Sequence, residues 1–440
     1  VNNNKQVPKQ DGKVTAVIVA VALAVLTFAL YRPAADFLFT NYDEASQIIE
    51  NPLIRGLDSA HIAGIFSHFC ITSYYPVRLL SFAVDYHFWG LNPRGFHLTN
   101  VVIHILNAVL LFLLLVRWSR RAGGSSGSGL ALPGLAALVF AVHPVCVEPV
   151  AWVSGREELL TLLFTLSAFH LFTWYLDAGS GKTPARYALY AGTFLSVVCA
   201  CLSNVVGIVA GMALVVYAFL LPRGSAPNPP APTQKKTGGK GAAGAPVTSP
   251  EAATFENLLK PMGRAVVVAL PFLIVGIAAV ILKKYSDGRA IEAGLNLAPV
   301  HVSPLFRMLA IPMVYALNLK TFIVPMDLNL IYPTMVFENP STIAYICAGV
   351  LAVAVTLACL WRVAKEGVRG SRHSAMAAFC IIWFLFALSP SAQFMQHRLV
   401  RPDRLIYPAL PGFIGAVFFL VGRLRVKGRV SSDLPVVGAF

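Results

Sequence analysis

Apolar residues in this chain gather into long runs separated by short polar breaks. The first, VTAVIVAVALAVLTFALY, occupies 14–31, and others follow near 96–116, 131–146, 157–176, 186–201 and 204–221. A second set lies near 265–282, 304–324, 341–361, 374–389 and 405–422. At a helical rise of about 1.5 Å per residue, runs of about 20 residues cross a hydrocarbon layer about 30 Å thick. Lipid offers no partner to backbone N–H and C=O groups, so such runs must be helical. The pattern predicts an all-α polytopic membrane protein with 10 or 11 transmembrane helices. The run at 14–31 reads as a membrane helix and not a signal peptide, because Arg32-Pro33-Ala34-Ala35-Asp36 follows it in place of a small-residue cleavage site. Pro304, Pro312, Asn318 and Lys320 interrupt 304–324, which predicts a broken or re-entrant element there.

The polar stretches carry the second layer of information. Residues 32–93 form a large first external loop, with a surface helix expected at 58–70. From Tyr75 to Tyr86 polar and apolar residues alternate at helical spacing, and Pro76 suits a first turn. This segment reads as a helix lying along the membrane interface. Residues 223–252 are rich in Gly, Pro and Ala with Arg223, Lys235, Lys236 and Lys240, the composition of a flexible cytoplasmic linker. It divides the chain into membrane blocks 1–222 and 253–440, both parts of one bundle. No period of 20–50 residues recurs.

Composition agrees: 57% of the 440 residues are hydrophobic and 12% charged, which excludes a water-soluble enzyme and a disordered chain. Lys and Arg number 35 against 20 Asp and Glu. In a membrane protein that excess orients helices and does not point to nucleic acid. With a cytoplasmic N-terminus, 117–121, 177–186 and 223–264 fall inside. Arg362 to Arg372 and Arg423 to Arg429 then collide with the rule if every run crosses, and agree with it if 304–324 does not. The seven Cys show no metal spacing and read as small buried hydrophobes.

Scarce polar residues within such a chain are the candidates for chemistry. Asp43-Glu44, on the first external loop, can supply a general base, or can be ordinary loop carboxylates. His143 to Glu158 packs His143, Glu148, Arg156, Glu157 and Glu158 between two apolar runs. Arg156 has the fork geometry for a phosphate, and the carboxylates can position it or bind a divalent ion. Equally, Glu157 and Glu158 suit the first turn of a helix. His97, Asn100, His104 and Asn107 form one stripe, read as hydrogen bonding between helices ahead of a metal site. Arg398, Arg401 and Arg404, beside Asp403 and Tyr407, oppose the charge bias, which an anionic ligand or interfacial anchoring explains. Asp327 and Tyr332 belong to the same external side. No nucleotide-binding loop, zinc-protease motif or serine-hydrolase elbow is present.

These positions carry a resemblance. Asn41-Tyr42-Asp43-Glu44 with Asn51-Pro52, Tyr75 to Phe82, Gly90-Leu91-Asn92-Pro93 with Phe96 to Asn100, and His143-Pro144 through Arg156-Glu157 resemble motifs of one family. Asp327 to Pro333 and Asp403-Arg404 with Tyr407-Pro408 do so as well. The chain resembles the membrane portion of the transmembrane and tetratricopeptide-repeat proteins, relatives of the O-mannosyltransferases in the GT-C glycosyltransferase superfamily. It looks like a bacterial-type relative lacking the repeats, in a bacterial inner membrane with its active face periplasmic. The resemblance implies a GT-C-like fold and sugar transfer from a polyprenyl-phosphate-linked donor to an acceptor hydroxyl on a protein or glycan. Asp43 is then the base, with Glu44 beside it. Arg156 and Arg404 neutralise the phosphate, and Arg78, His97, His143, Glu148, Glu157, Asp327, Asp403 and Tyr407 line the site. A divalent metal ion is an open cofactor.

Departures leave other readings open. Glu44 stands where the family has Asp, Tyr75-Pro76-Val77 replaces its Arg/His-Pro-Leu, and Ser203-Asn204-Val205-Val206 replaces a Lys-Pro. A catalytically inactive structural or assembly subunit of a larger membrane complex is the main alternative, with membrane lipids and a partner protein supplying the repeat domain. A transporter or lipid flippase is the third reading.

Overall fold

The computed structural model describes residues 11–40, 42–67, 74–123, 130–178, 183–220, 268, 270–286, 304–326, 328, 340–368, 370–389 and 403–430. Their regular structure is all helical, with no strand among them. The order is α1 (Asp11–Tyr31), α2 (Ser59–Ser67), α3 (Pro76–Trp89), α4 (Pro93–Arg121), α5 (Ala131–Val142), α6 (Val147–Ala151), α7 (Arg156–Asp177), α8 (Pro184–Ser203) and α9 (Ile208–Leu220). Then come α10 (270–286), α11 (Pro304–Ile323), α12 (Pro340–Val368), α13 (Arg372–Leu388) and α14 (Leu410–Val430). Six helices among the described residues are long and apolar enough to cross a membrane. A bent α5–α6 pair makes a seventh, and three shorter apolar helices accompany them. The sequence predicts 10 or 11 spans; among the described residues six helices, or seven with the bent pair, are long and apolar enough to cross.

Local chemistry sets the boundaries. Pro opens α3, α4 and α8, where a missing N–H costs no hydrogen bond. Asn92 caps α4 by accepting the N–H of Arg94 at 3.1 Å, and Thr183 caps α8 through Arg186 at 3.3 Å. Gly90 ends α3 at φ 58°, a conformation that side chains with a Cβ resist. The 51° bend between α5 and α6 falls at His143-Pro144, whose proline cannot continue the ladder. A broken element was expected at 304–324 instead. There α11 runs as one helix with Pro312 inside it.

The bundle core is aromatic at its centre, with Trp118 against Phe169, Tyr217 and Phe379. Neighbouring pairs α4–α7, α7–α8, α11–α12 and α13–α14 pack closely. α1 and α12 instead expose Val17, Ile18, Val21 and Leu26, and Leu351, Val355 and Trp361, as surfaces facing hydrocarbon should. A second, smaller core caps one end of the bundle. Ile48, Ile54, Ile65, Leu79, Phe82, Phe96 and Val153 join the first loop to the starts of α4 and α7. A helix, α3, stands where one was expected at 75–86, and α2 (Ser59–Ser67) falls within 58–70, of which 68–70 lie outside the described residues.

The opposite end is basic. Arg117 and Arg121 both pair with Asp177, and Arg121 also donates to the Tyr217 hydroxyl at 2.7 Å. Arg372 donates to the backbone carbonyl of Arg121 at 3.2 Å, while Arg423 pairs with Glu366 beside Ser374. Both C-terminal basic groups therefore share the end that carries 117–121. The collision between charge bias and helix counting resolves in favour of the charge bias. The linker at 223–252, and with it the boundary between blocks, lies outside the described residues.

Candidate functional site

The loop end, opposite the basic one, collects most of the polar residues singled out in the sequence. It is built in three layers. The first is Arg156, the opening residue of α7, which is wholly buried. Its guanidinium pairs with Asp85 of α3 and donates from Nε to Asn100 Oδ1 at 2.7 Å. Nη2 donates to the Phe96 carbonyl at 2.7 Å, and Nη1 reaches Ser81 at 3.4 Å. Phe82 lies under the guanidinium carbon, 4.7 Å from ring centre. The fork is filled by protein groups on every edge, so in this state it offers no free donor to a phosphate. Asp85 also accepts from Thr99 at 2.7 Å. Burial pushes its carboxyl above the usual range, against the opposing pull of Arg156 and Thr99.

The second layer is two further ion pairs. Arg78 donates to Glu157 at 2.5 Å, with both side chains largely buried. Arg404 meets Glu148 twice, through its backbone N–H and its Nη1, each at 3.0 Å. Arg404 also stacks over Trp152 at 4.8 Å, and Tyr42 packs on the same indole at 6.2 Å. Glu158 lies among these charges, fully buried, and neither carboxylate oxygen has a hydrogen-bond partner.

The third layer holds the helices beneath. His104 accepts the Tyr407 hydroxyl proton at Nδ1, 2.9 Å away, and donates from Nε2 to the Ala141 carbonyl at 3.0 Å. Asn107 donates to the same Tyr407 oxygen at 3.1 Å and to the Leu159 carbonyl at 3.0 Å. That stripe serves hydrogen bonding between helices. His143 accepts from the N–H of Val145 at 3.2 Å and donates to the Phe322 carbonyl at 3.1 Å, stitching the helix break to α11.

The acid pair of the first loop divides. Glu44 is buried and accepts the Thr40 hydroxyl, with its other oxygen unpaired. Asp43 is half-buried and its carboxylate enters no ion pair among the described residues; only its backbone carbonyl is engaged, by Ser46 at 3.3 Å. His97 is enclosed edge-on to Phe37, and neither ring nitrogen completes a hydrogen bond. Asp327 lies outside the described residues. Asp403 opens a tight helical turn, Asp403–Ala409, and its side chain lies outside them too. Among the described residues no group of three or more His, Cys, Asp or Glu side chains can hold a metal ion.

Sequence reasoning passed over Asp85. The signal was available: Arg78, Ser81 and Asp85 recur at spacings of three and four, one face of α3, and each meets a residue of the 156–157 corner.

Fold and site together define an all-helical polytopic membrane protein with an ion-paired polar layer at one end of its bundle. The chain is similar to proteins named protein O-mannosyl-transferases. One from Caenorhabditis elegans is 29% identical over 178 residues, 37% of this chain and 24% of that protein. TMTC1 of Mus musculus is 34% identical over 155 residues, 34% of this chain and 16% of that protein. TMTC4 of Homo sapiens is 39% identical over 103 residues, 22% of this chain and 14% of that protein. The chain thus spans a quarter or less of the length of these relatives. No family model matches it. The relatives are animal proteins, and this overturns both the bacterial-type assignment and the bacterial inner membrane; a membrane location stands.

Proposed function

We propose that this bundle is a GT-C-like, O-mannosyl-transferase-related membrane scaffold, a structural or assembly subunit of a larger membrane complex. One observation carries the reading. Arg78, Arg156 and Arg404, the candidate phosphate-binding arginines that the structure describes, are each neutralised by an internal acid, Glu157, Asp85 and Glu148. A transferase needs a cation aimed at the charge developing on its leaving phosphate. These three are committed to holding helices together. The partners in this reading are membrane lipids and a further membrane or soluble protein of the complex.

A second reading is supported by Asp43, whose carboxylate is outside every described ion pair, and by the names of the relatives. Here the chain moves a sugar from a polyprenyl-phosphate-linked donor. Asp43 takes the acceptor hydroxyl proton, the oxygen bonds to the anomeric carbon, and the lipid phosphate leaves with its electron pair, inverting the centre. Glu44, held by Thr40, orients the loop.

One experiment separates them. The full chain is purified with native lipid, its co-isolating proteins are quantified, and transfer from polyprenyl-phosphate mannose to a hydroxyl-bearing peptide is measured. A stoichiometric partner without transfer is expected. Transfer that disappears in Asp43→Asn would sink the scaffold reading and establish the enzyme.

A further inference from the structure

One ion pair followed by two hydrogen-bonded steps leads from α3 through Arg156 and Asn100 to the loop that carries Glu148 and Trp152. Asp85 pairs with Arg156, and Arg156 donates to Asn100 Oδ1 at 2.7 Å. The amide nitrogen of Asn100 then faces three carbonyls of that loop, Trp152 at 3.0 Å and Pro149 and Val153 at 3.4 Å. Arg156 draws the oxygen of Asn100 to itself, which leaves the NH2 group directed at the loop. A flipped amide would face the guanidinium with its own donors, so the charge on Arg156 fixes the sense of the amide. The loop approaches closely at the same place. A Cβ on Gly155 would stand 2.7 Å from Pro149 Cα and 2.9 Å from its carbonyl oxygen. Trp152 in turn supports Arg404, which grips Glu148.

We infer that Asp85 is a positioning residue of the loop end, which through Arg156 and Asn100 sets where Trp152 and the Glu148–Arg404 pair stand. Asp85 touches none of those three. Its carboxylate keeps the buried guanidinium compensated and pointed at Asn100, and Thr99 holds the carboxylate at 2.7 Å. The inference stands on this geometry and not on the scaffold reading. Transfer by the purified chain would overturn that reading and leave this one untouched.

The test uses the full chain in lipid nanodiscs with fluorinated tryptophan, read by fluorine NMR. The six Trp give separate probes, and Trp152→Phe assigns the Trp152 line. In Asp85→Asn the Trp152 line is expected to shift or double, while the lines of Trp118, Trp174 and Trp383, in the core or at the basic end, stay in place. Asp85→Glu is expected to restore a single line near the wild-type position. An unmoved Trp152 line in folded Asp85→Asn overturns the inference. So does movement of all six lines together, which would mark general loosening. Should Asp85→Asn not fold, Thr99→Val removes the second anchor of Asp85, together with the hydroxyl's contact to the Gly95 carbonyl. A displaced Trp152 line in that variant supports the positioning role, and an unchanged one overturns it.

Discussion

Arg404 grips Glu148 with both its backbone N–H and its Nη1, each at 3.0 Å, across 256 positions of sequence. The contact ties the turn before α14 to α6, so the last membrane helix is docked on the site by a doubly bonded carboxylate. Bidentate, charge-assisted contacts of this kind are the stronger hydrogen bonds. With both side chains less than a fifth exposed, loss of one partner leaves a poorly solvated charge. Glu148→Ala is expected to destabilise the protein by about 2–4 kcal/mol, somewhat under the cost of breaking a fully buried pair. Glu148→Gln retains an acceptor for the backbone N–H and should cost less. Thermal unfolding of the two variants in detergent, with Arg404→Ala completing a double-mutant cycle, checks the order.

Glu158 presents the opposite case. It is wholly buried beside Glu157, Glu148 and the Arg404 guanidinium, and neither oxygen is hydrogen-bonded. Replacing an unsatisfied buried polar group by an apolar one of similar length removes a desolvation cost of about 1–3 kcal/mol. Glu158→Met is therefore expected to raise the unfolding temperature. Its neighbour behaves otherwise, since Glu157→Met strips Arg78 of its carboxylate and should lower it. Equal destabilisation by both variants would mean that Glu158 has a ligand or partner in the membrane.

Residues such as these show where sequence reading succeeds and where it stops. Hydrophobic runs located the helices, because lipid leaves the backbone no other choice, although α12 ends seven residues and α14 eight residues beyond the expected runs. Pro76 marked a helix start for a local reason that any sequence displays, and Asn92-Pro93 carried the same signal unread, since α4 was expected to begin at 96. The candidate cluster was legible too: Arg78, Glu148, Arg156, Glu157 and Arg404 do gather at one end. What could not be read was which acid each arginine takes. Arg156 has Glu157 next to it in the chain, yet pairs with Asp85, while Arg78 takes Glu157. Pairing depends on the rotation of α3 against α7, a packing outcome without a one-dimensional signature. The bend was misassigned for a related reason. Pro312 is absorbed within α11, whereas Pro144 breaks its helix, and only the neighbours of each decide this.

Acid should loosen α2 before the bundle. Asp58 accepts the N–H of Ala60 at 2.9 Å and of His61 at 3.2 Å, and its other oxygen meets the His61 ring at 2.5 Å. The His61 N–H, then its ring, hold the Asp58 carboxyl below the usual range. The folded state thus binds fewer protons than the unfolded one in this window. The stabilisation is complete above the unfolded carboxylate value, about 3.9, and is lost as pH falls through the lower folded value. Hydrogen exchange of the α2 amides should quicken over that interval while α4 and α7 stay protected. Asp58→Asn keeps a capping oxygen and should flatten the dependence. Exchange in α2 that is insensitive to pH in wild type would refute the assignment.

Tyr407 offers a test of how firmly the last segment is locked to α4. Its hydroxyl is fully buried, gives its proton to His104 and accepts one from Asn107. Tyr407→Phe keeps the ring and its packing against Phe140 and His104 but removes the oxygen. His104 Nδ1 is then left without a donor. Asn107 keeps its bond to the Leu159 carbonyl, so the loss concentrates on the histidine. A buried acceptor stripped of its partner costs about 1–3 kcal/mol, and that range is expected for the single variant. Placing a phenylalanine at 104 as well removes the orphaned nitrogen together with the Nε2 bond to Ala141. The double variant should then cost clearly less than the two single variants added together, because both report on one shared contact. Thermal unfolding of the four proteins measures this coupling. Strict additivity would mean that the Tyr407–His104 hydrogen bond contributes nothing, and that the 403–409 turn is held by apolar packing, Asn107 and Arg404 instead.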